Sequence, residues 1–199
     1  QYLSGSIGND TLEGRNDVLN KFYGNQGGDF IDGGTFTHTA RTGNVALYIF
    51  DPNMVDGTLI WNGVNSTLTG TVVDGWGSTD TLNNINFLVG SHNNDTLTID
   101  SDGTFTGVWF LKGMGGNDTL EGADISEYNM VSYNDSPDDV TVDLYDDEIG
   151  SPTFGLGFAH GGWGGVDTLT NINQVQGSEF NDTLIGNDLD NDVFGLGGN

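Results

Sequence analysis

Seven aspartates in this chain stand at one place of a recurring nine-residue frame. The frames are Gly5–Glu13 (GSIGNDTLE), Gly24–Asp32 (GNQGGDFID), Gly75–Asn83 (GWGSTDTLN), Gly90–Thr98 (GSHNNDTLT), Gly113–Glu121 (GMGGNDTLE), Gly162–Thr170 (GWGGVDTLT) and Gly177–Ile185 (GSEFNDTLI). Each has glycine first, aspartate sixth (Asp10, Asp29, Asp80, Asp95, Asp118, Asp167, Asp182) and a large aliphatic residue eighth. A half-copy, GLGGN, occupies Gly195–Asn199. Glycine and asparagine make tight loops at little steric cost, and a tight loop turns its carbonyls toward one point. A carboxylate at a fixed place beside those carbonyls is the donor set of a hard, oxygen-seeking cation.

The elements that must carry these loops follow from the rest of the frame. The last three residues read as a short strand whose eighth-place side chain points inward, so Leu12, Ile31, Leu82, Leu97, Leu120, Leu169 and Leu184 are expected to stack as an inner ladder. Between the frames lie glycine-poor sections with alternating and β-branched residues: NVALYIF (44–50), TLIW (58–61), STLTGTVV (66–73), NMVSY (129–133) and DDVTVDLY (138–145). These read as strands, either as wider coils of one repeating stack or as a packed β-sandwich insert.

Composition agrees with a cation-dependent, non-helical chain. Four Lys and Arg face 29 acids, giving a net charge of −25, and the 33 glycines argue against helix. Of the acids 24 are Asp, the residue of turns and short-armed metal ligation, and only 5 are Glu. Such a charge repels nucleic acid and anionic membrane surfaces, and no apolar run is long enough to span a bilayer. With no cysteine, a secreted chain of 199 residues lacks disulfide staples, and metal is the usual substitute.

The frame resembles the glycine- and aspartate-rich nonapeptide of RTX proteins, the hemolysin-type calcium-binding repeat, most closely in DTLTNINQVQGSEFNDTLIGN and GMGGNDTLEG. The motif cores cover about a third of the chain. The resemblance implies an all-β fold, a right-handed parallel β-roll or β-solenoid with two nonapeptides per turn, and several Ca²⁺ ions in its glycine- and aspartate-rich turns. The ligands it implies are the sixth-place aspartates and the loop carbonyls of Gly5, Ile7 and Gly8; Gly24, Gln26 and Gly27; Gly90 and His92; Gly113, Gly115 and Gly116; Gly177 and Glu179; and Gly195 and Gly197. At His92 it is the backbone carbonyl, not the ring, that would face the ion.

Spacing refines this expectation. Asp10 and Asp29 lie 19 residues apart, close to two frames, as adjacent turns require. Asp95 and Asp118 lie 23 apart, so DSDGTFTG is expected as an insertion. Asp80 to Asp95 and Asp167 to Asp182 are each only 15 residues, a duplicated irregular step that casts doubt on the loops of Asp80 and Asp167 as ligands. GRND, ending at Asp17, falls out of frame and reads as a turn on the opposite side. GWGSTDTLNNINFLVGSHNNDTL (75–97) matches GGWGGVDTLTNINQVQGSEFNDTL (161–184), so the chain is one elongated tandem array with approximate units 5–89 and 90–176 and a partial third, 177–199. It is expected to be a processed product or a piece of something longer.

Other chemistry finds little support. Asp138-Asp139 and Asp146-Asp147-Glu148 sit in turn-like surroundings and read as solvated loops rather than paired catalytic carboxylates. His38, His92 and His160 are isolated, with no HExxH or GxSxG arrangement. Trp76 and Trp163 fall at equivalent places and read as structural, and the Asn-Asp-Thr triplets are a by-product of the repeat. The expected function is therefore non-enzymatic: an extracellular calcium-stabilised repeat segment of an adhesin, surface layer or filament, folding on calcium binding after bacterial type I secretion. Expected partners are calcium ions and neighbouring repeats or copies end to end, not nucleic acid and not a membrane interior. The alternatives are an accessory module of a secreted enzyme (alginate epimerase, lipase or protease) and a filament subunit stacking head to tail.

Overall fold

The computed structural model describes residues 1–35, 43–123, 127–145 and 156–198. His38 and the Asp146-Asp147-Glu148 cluster lie outside these residues. No helix occurs among the described residues, which form nineteen strands. The first ten are β1 (Tyr2–Ser4), β2 (Thr11–Glu13), β3 (Lys21–Tyr23), β4 (Phe30–Asp32), β5 (Val45–Leu47), β6 (Asp56–Asn62), β7 (Thr67–Val73), β8 (Thr79–Asn83), β9 (Phe87–Val89) and β10 (Thr96–Ser101). The remainder are β11 (Val108–Lys112), β12 (Thr119–Glu121), β13 (Tyr128–Ser132), β14 (Thr141–Asp143), β15 (Gly157–His160), β16 (Asp167–Thr170), β17 (Gln174–Gln176), β18 (Thr183–Ile185) and β19 (Asp192–Phe194).

The strands form two sheets. One has eight strands in the order β1-β3-β5-β9-β11-β13-β17-β19, every pair parallel. The other has eleven, in the order β18-β14-β15-β16-β12-β10-β6-β7-β8-β4-β2. The main core lies between them, and a small second cluster gathers Val45, Val89 and Met114. Phe22, Ala46, Leu88, Leu111, Val131 and Val175 come from the first sheet, and Leu12, Ile31, Leu82, Leu97, Leu120 and Leu169 from the second. The eighth-place residues are in register, Leu12 on Ile31, Ile31 on Leu82, Leu97 on Leu120 and Leu120 on Leu169, and Leu184 packs partly buried against the same core. Six of these seven are at most 8% exposed, so this ladder is the hydrophobic spine of the fold.

The glycine-poor sections supply β5, β6, β7, β13, β14 and parts of the loops, and they depart from a uniformly parallel stack. β7 runs antiparallel to both β6 and β8, and β15 antiparallel to both β14 and β16. In the first unit the chain leaves β5, enters the second sheet at β6 and steps back through β7 to β8, which pairs with β4; β10 then pairs with β6. This explains the 15-residue step: β8 and β10, which carry Asp80 and follow Asp95, are separated in the sheet by β7 and β6. The insertion at 100–107 folds against the β6–β7 tip, where the Trp61 indole N–H donates to Thr104 Oγ1 (3.0 Å) and Gly63 N–H to Asp102 Oδ2 (2.8 Å).

Candidate metal centre

Six of the eight loops, counting the half-copy, are built in one of two ways; the Gly75 and Gly162 frames instead turn at left-handed glycines, Gly77 (φ 88°) and Gly164 and Gly165 (87° and 94°). The frames opening Gly-Ser put a serine second. Ser6 N–H and its hydroxyl donate to Asp10 Oδ2 (2.6 and 2.9 Å), whereas Ser91 and Ser178 donate their N–H to Oδ2 and their hydroxyl to Oδ1 of Asp95 and Asp182. The frames at Gly24, Gly113 and Gly195 instead hold their second and fourth residues left-handed: Asn25 and Gly27 (φ 63° and 131°), Met114 and Gly116 (79° and 115°), Leu196 and Gly198 (55° and 78°). A left-handed non-glycine residue costs about 1–2 kcal/mol, so Met114 and Leu196 are held there by their surroundings.

Each left-handed loop lies on a serine loop. A Cβ at Gly27 would stand 2.6 Å from Gly8 O, one at Gly116 2.5 Å from Asn93 O, and one at Gly198 2.2 Å from Phe180 O. Asn9 Oδ1 accepts from Gly28 N–H (3.0 Å) and Asn94 Oδ1 from Asn117 N–H (2.9 Å). The structure thus brings together Gly5, Ile7, Gly8 and Asp10 with Gly24, Gln26, Gly27 and Asp29; Gly90, His92 and Asp95 with Gly113, Gly115, Gly116 and Asp118; and Gly177, Glu179 and Asp182 with Gly195 and Gly197. The first-place glycines allow close approach of their own carboxylate: a Cβ at Gly24, Gly90 or Gly177 would lie 2.5, 2.2 or 2.3 Å from the Oδ2 of Asp29, Asp95 or Asp182.

The aspartates form a ladder through the backbone. Asp29 Oδ1 accepts from Asp10 N–H (2.8 Å), Asp80 Oδ1 from Asp29 N–H (2.8 Å), Asp118 Oδ1 from Asp95 N–H (2.8 Å) and Asp167 Oδ1 from Asp118 N–H (3.0 Å). The back-steps break the ladder into runs, and Val55 and Val140 supply the N–H groups that begin the next runs on Asp95 and Asp182. Asp80 and Asp167 therefore belong to the stack, but Asp80 is the second residue of β8 and Asp167 the first of β16, and their second oxygens take the buried hydroxyls of Tyr48 (2.8 Å) and Tyr133 (2.9 Å). With serine satisfying Asp10, Asp95 and Asp182, two ladder oxygens are buried with no N–H or hydroxyl donating to them: Oδ2 of Asp29 and Oδ2 of Asp118, one in each complete left-handed loop, the Asp118 carboxyl lying against that of Asp167.

Burial dominates the electrostatics. It pushes the Asp80 and Asp95 carboxyls up to about 6 and raises those of Asp29, Asp118 and Asp167 as well, with neighbouring carboxylates adding to the effect at Asp29 and Asp118. A buried carboxylate oxygen with no donor is costly, and a cation is the partner that its chemistry invites. Among the described residues no three His, Cys, Asp or Glu side chains converge as a metal-binding group. An ion at these loops would draw on one or two carboxylates and on backbone carbonyls, which suits calcium among the biological cations. The residues present fit such an ion at the Asp29 and Asp118 loops.

The remaining candidates are placed elsewhere. The His92 ring packs on Trp163 (4.8 Å between centroids) over Gly115, away from any ligand role, and His160 meets Phe158 edge-on. Asp138 and Asp139 are exposed in a turn.

Sequence reasoning missed a second ladder on the opposite edge. One register column holds Asn20, Asn44, Asn86, Trp109, Asn129 and Asn173. Asn20 Nδ2 donates to the carbonyls of Arg15, Val18 and Gly33 (2.8–2.9 Å), Asn44 Nδ2 to Asn84 O (2.9 Å) and Asn86 Nδ2 to Val108 O (2.9 Å). The turn ending at Asp17, left-handed at φ 55°, lies on this edge. The available signal was an asparagine directly before the first-sheet strands β3, β5 and β9.

No protein-family model matches the chain, and no curated protein is similar to it at a significant level.

Proposed function

We propose that this chain is a calcium-stabilised structural repeat segment of an extracellular protein of the RTX type, a right-handed parallel β-roll with back-stepping hairpins. The observation that carries the reading is the pair of stacked loops that leaves one aspartate oxygen buried with no N–H or hydroxyl donor at equivalent places of two units, Asp29 and Asp118. Calcium there replaces the missing donors and offsets repulsion within a ladder of acids in a chain of net charge −25. Folding and binding are then one process. Extracellular modules bind calcium at about 0.1–1 mM, so the chain is open where calcium is scarce and closes once outside the cell. Its role is to hold shape and spacing in an adhesin, surface layer or filament, or as the accessory module of a secreted enzyme.

Circular dichroism melts in 5–10 mM calcium and in excess chelator, of the order the affinity range above requires, test this. At a five- to hundredfold excess over the dissociation constant each ion adds about 1–2.7 kcal/mol, so two sites give about 2–5 kcal/mol. The chelated chain is expected to melt far lower or to lose its strand signal at room temperature; identical melts refute the reading. A second reading, end-to-end stacking, is favoured by the outermost strands. Among the described residues β1 and β19 in one sheet, and β2 and β18 in the other, each pair on one side only, an edge that a neighbouring repeat or copy fits. Calcium-dependent filaments in electron micrographs support it, and a strict monomer in calcium excludes it.

A further inference from the structure

The two units differ at two buried places beside the tyrosine-capped aspartates. The first unit has Asp51 and Asp74 where the second has Ser136 and Gly161. Hydrogen bonds establish the equivalence. Asp51 N–H donates to Tyr48 O (2.9 Å) as Ser136 N–H does to Tyr133 O (2.9 Å). Gly75 N–H donates to Asp51 Oδ2 (2.8 Å) as Gly162 N–H does to Ser136 Oγ (3.0 Å). Gly77 N–H donates to Asp74 O (2.9 Å) as Gly164 N–H does to Gly161 O (3.0 Å). The second unit thus makes both turns with no carboxylate at either place, and the fold has no need of charge there.

The first unit nevertheless buries both acids, Asp74 at 2% exposure and Asp51 at 8%. Asp74 Oδ1 accepts from Trp76 N–H (3.0 Å) and Ser78 N–H (2.7 Å), but its Oδ2 is buried and has no partner. Burial raises the carboxyls of Asp29, Asp51 and Asp80, and the charge of Asp74 adds to the rise at each. Asp74 caps its turn through Oδ1 alone, and the second oxygen, buried and unpartnered at a place where the structural twin is a glycine, offers a coordination position beyond the needs of the turn.

We propose that Asp74, with Asp51 beside it, holds one further hard divalent cation in the first unit, at a site outside the nonapeptide frame that the second unit lacks. This rests on the cation-binding reading above, but on different residues. With no three carboxylates convergent, loop carbonyls and water complete the shell.

Native mass spectrometry in calcium, counting bound ions, tests it on the whole chain. D51S/D74G, which copies the second unit, is expected to bind one ion fewer while its far-ultraviolet circular dichroism in calcium matches wild type. S136D/G161D is expected to bind one ion more. A Cβ at Gly161 meets only the Tyr133 ring, at 3.6–3.7 Å, so the graft fits. A folded D51S/D74G with the wild-type count overturns the proposal. If that variant does not fold, S136D/G161D without an added ion overturns it. A wild-type count of zero refutes the calcium reading itself, whereas wild-type ions unchanged in both variants refute only this site.

Discussion

Replacing Gly113 by alanine probes the ladder and the candidate metal centre together. The new Cβ would stand 1.9 Å from Asp118 Oδ2, 2.6 Å from its Cγ and 2.9 Å from its Cβ. Ordinary contacts begin near 3.4 Å, so the carboxyl must retreat by about 1.5 Å. That displacement breaks the 2.8 Å bond from Asp95 N–H to Asp118 Oδ1, because the contact has no slack. A hydrogen bond to a charged acceptor contributes about 1.5–3 kcal/mol, and overpacking a filled interior costs about 1–3 kcal/mol more. The sum is about 3–6 kcal/mol, or roughly 6–24 °C in Tm for a chain of this size. Gly8→Ala is the control: nothing lies within 4 Å of its Cβ and its φ is not left-handed, so its expected effect is within about 1 kcal/mol of wild type. The assay is thermal unfolding in saturating calcium, with a calcium titration of the folded signal alongside. G113A is also expected to need more calcium, since Asp118 Oδ2 has moved. A G113A melt within 2–3 °C of wild type, the scale of about 1 kcal/mol, or an equal loss in G8A, refutes the argument.

Three further outcomes follow from the same geometry. In chelator, stability should fall as pH rises from about 4 through 6 and beyond. Asp80 and Asp95 have folded values raised to about 6, so the native chain binds more protons and their contribution is full below the unfolded carboxyl range and lost above 6. Urea midpoints at pH 4.5, 6 and 7.5 in chelator should decline in that order, and a rise refutes the assignment. Tyr133→Phe strands the buried Asp167 Oδ2 and should cost about 1–3 kcal/mol by denaturant melts in calcium, with Tyr48→Phe matching it through Asp80. Asn20→Ala removes a fully buried amide that serves three carbonyls and should cost about 2–4 kcal/mol, measured in the same way; a neutral result would show that the asparagine edge is wet.

What was legible in the sequence was what repeats locally. Glycine first, aspartate sixth and leucine eighth are fixed by contacts inside one frame or with the next rung, so the loops, the strands and the leucine spine could be read from spacing alone. The tyrosine caps could not, because Tyr48 reaches Asp80 across 32 residues and Tyr133 reaches Asp167 across 34, through a hairpin of irregular length. The 15-residue step was visible as an anomaly, but its cause, a chain that overshoots and returns through β7, depends on pairing that no local pattern encodes. The asparagine column was hidden by abundance, since asparagine also fills the loops and only the register separates the two uses. The pairing of serine-type with left-handed loops lay in plain view as Gly-Ser against Gly-Asn and Gly-Met, a difference that has meaning only once the second-place φ is known.

The back-stepping hairpins also set the mechanics of the molecule. They place eleven strands on one side of the core and eight on the other. At about 4.8 Å per strand, the two sides differ in span by roughly 14 Å, close to 48 Å against 34 Å. Two sheets joined along a common core cannot differ so much and stay flat, so the strands must fan and the longer side must bow outward. In a tandem array, a unit with such a hairpin would turn the next one through an angle. Copies laid in sequence would trace an arc or a shallow spiral rather than a straight rod, with bend and reach set by how often the hairpin recurs.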